Sequence, residues 1–188
     1  SSTSSLISYA GIKNAKLGSL GEIFARLVAN PALEREIRRC IISEDSISDD
    51  ASTKLSDIRR SIRITNNRIR DTLQRYITAE NTTKYLQDNL VTIREGRYVI
   101  PVKAEHKGEI KGLVHDTSAT GATLFIEPLA VVEANNELRR LELEEKKEIE
   151  KILYTLSAAV ADFGHCTDLN YRNITILAYI FARAELSW

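Results

Sequence analysis

Thr53-Lys54-Leu55-Ser56-Asp57-Ile58-Arg59-Arg60-Ser61-Ile62-Arg63-Ile64-Thr65-Asn66-Asn67-Arg68-Ile69-Arg70-Asp71-Thr72-Leu73-Gln74-Arg75-Tyr76-Ile77 is the stretch on which the reading of the fold turns. Leu55, Ile58, Ile62, Ile69, Leu73 and Ile77 recur at spacings of 3, 4, 7, 4 and 4, which puts them on one face of a helix. Thr65 fills the long gap at a heptad-compatible position. Ser52 or Thr53 is of the right type to cap the start. The pattern predicts a helix from Thr53 to about Asn89, roughly 55 Å long at 1.5 Å per residue, with Asn81-Thr82-Thr83 as its weakest point.

A second stretch mirrors the first. Val131, Ala134, Leu138, Leu141, Ile149, Ile152, Leu156, Ala159 and Phe163 keep mostly to helical spacing, with one polar interruption at Glu145. It runs from Pro128 to about Phe163, roughly 50 Å. Both stripes are narrow, as in a coiled-coil seam, and two helices of similar length around a compact insert pack antiparallel most simply. The charges agree. From Lys54 to Arg75 there are seven basic residues against Asp57 and Asp71, whereas from Glu133 to Lys151 there are seven acidic against five basic. Side by side, such helices are held by flanking ion pairs worth a few tenths of a kcal/mol each, roughly.

The insert between them reads as strands. Four of the eight glycines and two of the three prolines lie between 96 and 128, and neither residue type occurs between Ala32 and Glu95 or between Leu129 and Phe163. Val91–Arg94 and Arg97–Lys103 flank Glu95-Gly96, a tight-turn signal. Ile110–His115 and Ala122–Ile126 complete an expected four-stranded antiparallel sheet, and Pro101 suggests an edge or a bulge. Outside the arm, Leu17, Leu20, Ile23, Phe24, Leu27 and Val28 suit a short helix, and Pro31 opens another that ends near Cys40. Asp168–Leu186 suits a last one, with Ile174, Leu177, Ile180 and Phe181 on one face. The expected fold class is mainly α: a helical base and a long antiparallel two-helix lever with a small antiparallel β clamp inserted at its tip. The segments are 1–52 (helical core), 53–90 (outgoing lever), 91–128 (clamp), 129–163 (returning lever) and 164–188 (core helix).

Composition bounds the function. The 188 residues carry 26 Lys+Arg and 26 Asp+Glu, 43% hydrophobic and 28% charged. That is ordinary for a globular chain and excludes a globally basic nucleic-acid binder, while leaving room for a basic element. No apolar run approaches the roughly 18 residues of a membrane span, and Ser1-Ser2-Thr3-Ser4-Ser5 has no signal-peptide character. Cys40 and Cys166 are too few for a disulfide framework or a zinc site and read as packed thiols of a reducing, cytoplasmic setting. With no Met at all, the chain reads as a piece of a larger protein.

Catalytic signatures are missing: there is no Gly-x-x-x-x-Gly-Lys-Ser/Thr and no Gly-x-Ser-x-Gly. No catalytic, metal or cofactor residue is expected. His115 and Asp116 are neighbours on a strand and point to opposite faces. Glu142, Glu144, Glu145 and Glu148, interleaved with lysines, read as a solvated, salt-bridged face. Thr117–Thr123 reads as a turn whose hydroxyls satisfy the backbone. The basic residues of the insert, Arg94, Arg97, Lys103, Lys107 and Lys111, flank turns and are the candidate phosphate contacts, although Glu95, Glu105, Glu109, Asp116 and Glu127 balance them.

Three runs of sequence carry a resemblance: Arg97-Tyr98-Val99-Ile100-Pro101-Val102-Lys103, Gly112-Leu113-Val114-His115-Asp116-Thr117-Ser118, and Gly121-Ala122-Thr123-Leu124-Phe125-Ile126-Glu127-Pro128 followed by Val131–Leu138. They resemble the type-two branch of the bacterial MutS proteins, and Cys40-Ile41-Ile42 followed by Asp49-Asp50-Ala51-Ser52, and Phe181–Leu186, do so more weakly. The resemblance implies a non-catalytic core, lever and clamp region of an ATPase. Its clamp meets the nucleic-acid backbone, branched DNA or duplex, without reading sequence. It also implies ATP and Mg in the parent, an endonuclease domain beyond this chain, suppression of recombination, and homodimerisation through the absent ATPase. A ribosome-directed clamp gripping ribosomal RNA is the alternative within the same family. A coiled-coil protein-interaction module that never touches nucleic acid is the alternative outside it.

Overall fold

The computed structural model describes residues 2–13 and 20–186. In chain order the elements are α1 (Ser2–Lys13), α2 (Leu20–Ala25), α3 (Pro31–Cys40), a hairpin of β1 (Ile41–Ser43) and β2 (Ser46–Ile47), α4 (Thr53–Thr78), α5 (Glu80–Thr83), β3 (Thr92–Arg94), β4 (Arg97–Lys103), β5 (Gly112–Thr117), β6 (Thr123–Pro128), α6 (Leu129–Asp162) and α7 (Gly164–Glu185). The protein is mainly helical with a small antiparallel sheet. It divides into two compact units, one made of the residues up to Ala51 and from Glu150 on, the other of Ser52–Ile149.

In the Ser52–Ile149 unit, the Ser52 hydroxyl accepts the Leu55 N–H at 3.0 Å and caps α4. Leu55, Ile58, Thr65, Ile69, Leu73 and Ile77 are its buried residues, so the stripe read from the spacing is the packed face. The first part of α6 lies against α4 in the opposite direction. Ser52 and Lys54 reach Glu148 at 3.0 and 3.3 Å, and Arg59 meets Glu145 at 2.6 Å. Glu148 corrects the reading of a fully solvated carboxylate face: it is 5% exposed, because it turns into the seam to take the Ser52 hydroxyl and the Lys54 ammonium.

Helix α4 stops at Thr78, well short of Asn89. Ala79 is extended (φ −75°, ψ 124°). The Thr82 hydroxyl donates to the Tyr76 carbonyl at the end of α4 and to the Ala79 carbonyl, which also accepts the Thr82 and Thr83 N–H groups of α5. After α5 the chain runs beside β4: Lys103 N–H donates to the Tyr85 carbonyl and Gln87 N–H to the Pro101 carbonyl.

The sheet has the order β3-β4-β6-β5, antiparallel throughout. Glu95 (φ 51°) and Gly96 (φ 74°) close the β3–β4 hairpin in the left-handed region, as a two-residue turn requires. β4 is interior, so Pro101 occupies neither an edge strand nor a bulge. β3 pairs only as far as Val99, and the missing N–H falls on the side where Leu86 bridges Val102 without needing it. Gly112 allows β5 to close on β6: a Cβ there would lie 2.3 Å from the Glu127 carbonyl oxygen and 2.6 Å from Ile126 Cγ2. One face of the sheet, through Ile100, Val102 and Ile126, packs on Ile69, Leu73 and Ile77 of α4 and on Val131, Ala134 and Leu138 of α6.

In the other unit, Asn30 caps α3 and Pro31 opens it. Phe24, Leu27 and Leu177 form a small core with Leu6, Ile7, Leu20 and Ile174 packed on it. α2 is shorter than expected, ending at Ala25, and Leu17 lies outside the described residues. The hairpin β1–β2 was not legible, since its strands are too short for an alternating pattern. α7 buries Asn170, Asn173 and Leu177, but Phe181, expected on the same face, is 42% exposed. Asn170 is used by the backbone: its amide accepts the Val28 N–H at 2.9 Å and donates to the Val28 carbonyl at 2.6 Å.

Candidate nucleic-acid interface

The five basic residues singled out in the insert do not form one surface. Arg97 and Lys103 stand at opposite ends of β4, about 20 Å apart at 3.3 Å per residue. Lys111 lies near the Arg97 end, where its carbonyl accepts the Leu129 N–H. Lys107 follows the short 3-10 turn Ala104–His106 just beyond Lys103.

Arg97 is committed to the interior. Its Nη1 donates to both oxygens of Glu127, at 2.9 and 3.1 Å, and its Nη2 donates to Asn136 Oδ1 at 2.6 Å. Glu127 has no exposure at all. Its Oε1 also takes the Asn135 amide at 2.7 Å, and its Oε2 meets His115 Nε2 at 2.5 Å. Asn135, 1% exposed, holds the Tyr98 backbone with the rest of its amide. A buried carboxylate is tolerated only when paired and fully hydrogen-bonded, and here strands β4 and β5 and helix α6 each supply a partner to Glu127 of β6. All of these residues lie in the runs that carry the family resemblance. What those runs share at this point is a buried joint between sheet and helix.

Arg94 is also engaged. Its Nε meets Asp116 at 3.2 Å, its Nη1 donates to Thr92 and to the Ile93 carbonyl, and its guanidinium lies 4.1 Å from the Phe125 ring centroid. His115 and Asp116 thus serve separate partners, with the register shift of β5 falling between Val114 and Asp116. The Thr117–Thr123 turn closes as read, with Thr123 N–H on the Ser118 hydroxyl and Gly121 N–H on the Ser118 carbonyl.

The other end of the sheet is different. The Lys103 ammonium donates to the Lys84 carbonyl at 3.2 Å, and the Lys84 ammonium stands 4.8 Å from the Tyr85 ring centroid. Tyr85 and His106 rings are 5.1 Å apart, tilted by 58°. Lys84 and Lys107 are exposed. Among the described residues none of Lys84, Lys103 and Lys107 is drawn into an ion pair, and the nearest recorded carboxylate contact is Glu105 on His106 at 3.5 Å. Lys84, Tyr85 and His106 were missed in the sequence, because only the strand-like run of Tyr85–Gln87 beside β4 brings them to Lys103. The neutral chain is unevenly charged: Ser52–Ile149 carries 17 Lys+Arg against 15 Asp+Glu, and two of those carboxylates, Glu127 and Glu148, are buried. Its exposed surface is therefore the more basic one. Among the described residues no three His, Cys, Asp or Glu converge to hold a metal ion, and no helix is long and apolar enough to cross a membrane.

Comparison with known proteins points to a class, the MutS-type proteins. The chain is 48% identical over 178 residues, 95% of its length, to a protein of Agathobacter rectalis named Endonuclease MutS2, and covers 22% of that relative. It is 47% identical over 168 residues, 89% of its length, to the Endonuclease MutS2 of Pelotomaculum thermopropionicum, covering 21% of it. Against that of Clostridium botulinum it is 49% identical over 154 residues, 81% of this chain and 19% of the relative. Along the segment it matches, the chain is similar to the MutS2 branch of the MutS family. It spans about a fifth of the length of these relatives. No family model matches it.

Proposed function

We propose that Ser52–Ile149 is the non-catalytic lever and clamp of a MutS-like ATPase and grips nucleic acid through its phosphates. α4 and the first part of α6 form the lever, and the sheet is the clamp. The observation that carries the reading is the end of the sheet where Lys84, Lys103 and Lys107 present three ammonium groups outside any ion pair. Lysine without base-edge geometry positions a backbone and carries no sequence information. Lys111 adds a fourth charge at the far end. Arg94 and Arg97 contribute by shaping the sheet, since their guanidinia are already bonded. A movement at the Ser52 end of the helix pair is carried to the sheet by the shared core of Ile69, Leu73, Val131 and Ala134.

ATP and magnesium belong to the parent protein in this reading. The chain has no phosphate-binding Gly-rich motif, so its own residues do not fit them and no step here runs through them. Homodimerisation and nuclease chemistry are likewise assigned to the parent outside this segment, in the cytoplasm.

Titrating the chain into a labelled four-way DNA junction and into a structured RNA across a salt series tests the proposal. The affinity should fall linearly on a log–log plot, and the triple variant Lys84→Glu/Lys103→Glu/Lys107→Glu should reduce the slope by about 2–3 with unchanged far-UV circular dichroism. Equal binding by the variant, or no salt slope on either polymer, defeats the nucleic-acid reading and leaves protein recognition. A clear preference for the RNA would favour the ribosome-directed form of the clamp.

A further inference from the structure

The geometry points to a seat for an unpaired nucleotide at the Lys84–Lys107 end of the sheet, its base stacked on His106 and its flanking phosphates on Lys84, Lys103 and Lys107. This inference rests on the nucleic-acid reading above and narrows it from a polyanion to a strand with a free base face. Lysines alone would suit any phosphate backbone. What they surround here is a pair of rings. Tyr85 packs against the core of the unit and its ring lies 5.1 Å from that of His106. The His106 side chain keeps 35% of its surface in solvent. A supported, half-open ring is a platform. Its support is rigid, because Lys103 N–H holds the Tyr85 carbonyl at 3.0 Å and His106 closes a 3-10 turn whose carbonyl takes the Glu109 N–H at 3.0 Å.

Aromatic or imidazole rings beside a basic track are how proteins hold single strands. A base inside a duplex has no free face to offer. The carboxylate at the site, Glu105, is 74% exposed and meets His106 at Nε2, an atom of the ring edge, 3.5 Å away. DNA and RNA share the required chemistry, a π face between two phosphates.

Fluorescence anisotropy of the 188-residue chain with labelled dT16, rU16 and a 16-base-pair duplex, at low and moderate salt, tests the assignment. His106→Ala should weaken dT16 or rU16 binding about tenfold and change duplex binding less than about twofold. His106→Phe should restore the single-strand affinity. Lys103→Ala/Lys107→Ala should weaken all three and lower the salt slope by about 2. Stronger binding of dT16 assigns the seat to DNA, of rU16 to RNA. If His106→Ala leaves the single strands bound as tightly as before while the lysine variant weakens them, the stacked seat is wrong and the phosphate grip survives. If no polymer binds at low salt, both fall together.

Discussion

Replacing Arg97 by Ala should cost more stability than any other single charge removed from the sheet, and removing the negative charge beneath it should then recover part of the loss. Glu127 is wholly buried and receives Arg97, Asn135 and His115. Without the guanidinium the carboxylate keeps two donors but loses its counter-charge. Breaking a buried pair from one side costs about 3–5 kcal/mol, and the 19% exposure of the Arg97 side chain sets the expectation at about 3 kcal/mol, the low end of that range. Glu127→Gln keeps the shape. Its carbonyl can still accept from Asn135 and Arg97, and its amide can face His115 in the tautomer that accepts. What is lost is the charge assistance, about 1–2 kcal/mol. In Arg97→Ala/Glu127→Gln no buried charge is left unpaired, so the second change should cost nothing further or restore up to about 1 kcal/mol, a coupling of about 1–3 kcal/mol. Arg94→Ala is the control: its pair with Asp116 is 38% and 46% exposed, worth about 1 kcal/mol with the Phe125 contact included. Urea unfolding followed by circular dichroism gives all four values. An Arg97→Ala loss below 1 kcal/mol, or a double variant weaker than the sum of the singles, refutes the account of Glu127 as a carboxylate held by its partners.

Other consequences follow from the same structure. Gly112→Ala must push a methyl into the Glu127 carbonyl and Ile126, and should lower stability by about 1–3 kcal/mol, read by the same unfolding assay. Leu73→Ala empties a site with no exposure and should cost about 2–5 kcal/mol, whereas Ile64→Ala, on the same helix but 62% exposed, should stay within about 0.5 kcal/mol. Burial pushes the Cys40 thiol up, with Arg39 opposing. Because the neutral thiol is favoured in the folded state, its contribution to stability is present below the ordinary value of 9.0 and is lost as pH rises toward the folded value. Ellman's reagent at pH 8 should therefore modify the partly buried Cys166 first and Cys40 only on unfolding; two equally fast thiols would contradict this.

Much of the fold was legible because its signals are local. Leu55 through Ile77 recur at helical spacing whatever the chain does elsewhere, Ser52 is a cap by its chemistry, and Glu95-Gly96 turns because Gly96 takes the left-handed region without steric cost. The end of α4 was less legible. Helical spacing continues weakly past Thr78, and the competition that stops it comes from Thr82 bonding back to Tyr76 and Ala79 and from the pairing of Leu86 with Val102. Glu148 was misread because it sits in a run of charged residues; half a turn of helix separates a residue in the seam from one in water.

The runs of sequence around Arg97, His115 and Glu127 by themselves carried the family resemblance, and the hydrophobic periods marked the long helices and the strands of the four-stranded sheet, since both signals reside in neighbouring residues. Tertiary structure alone decided which cations remain available. Arg97 and Lys103 share a face of one strand, and nothing in their own surroundings along the chain tells them apart. Pairing with β6 and docking of α6 place a buried carboxylate under Arg97, while the turn after α4 places Lys84 and Tyr85 beside Lys103, which among the described residues joins no ion pair. A charge can be read from a residue's type; whether it is spent inside the fold depends on partners distant in the chain.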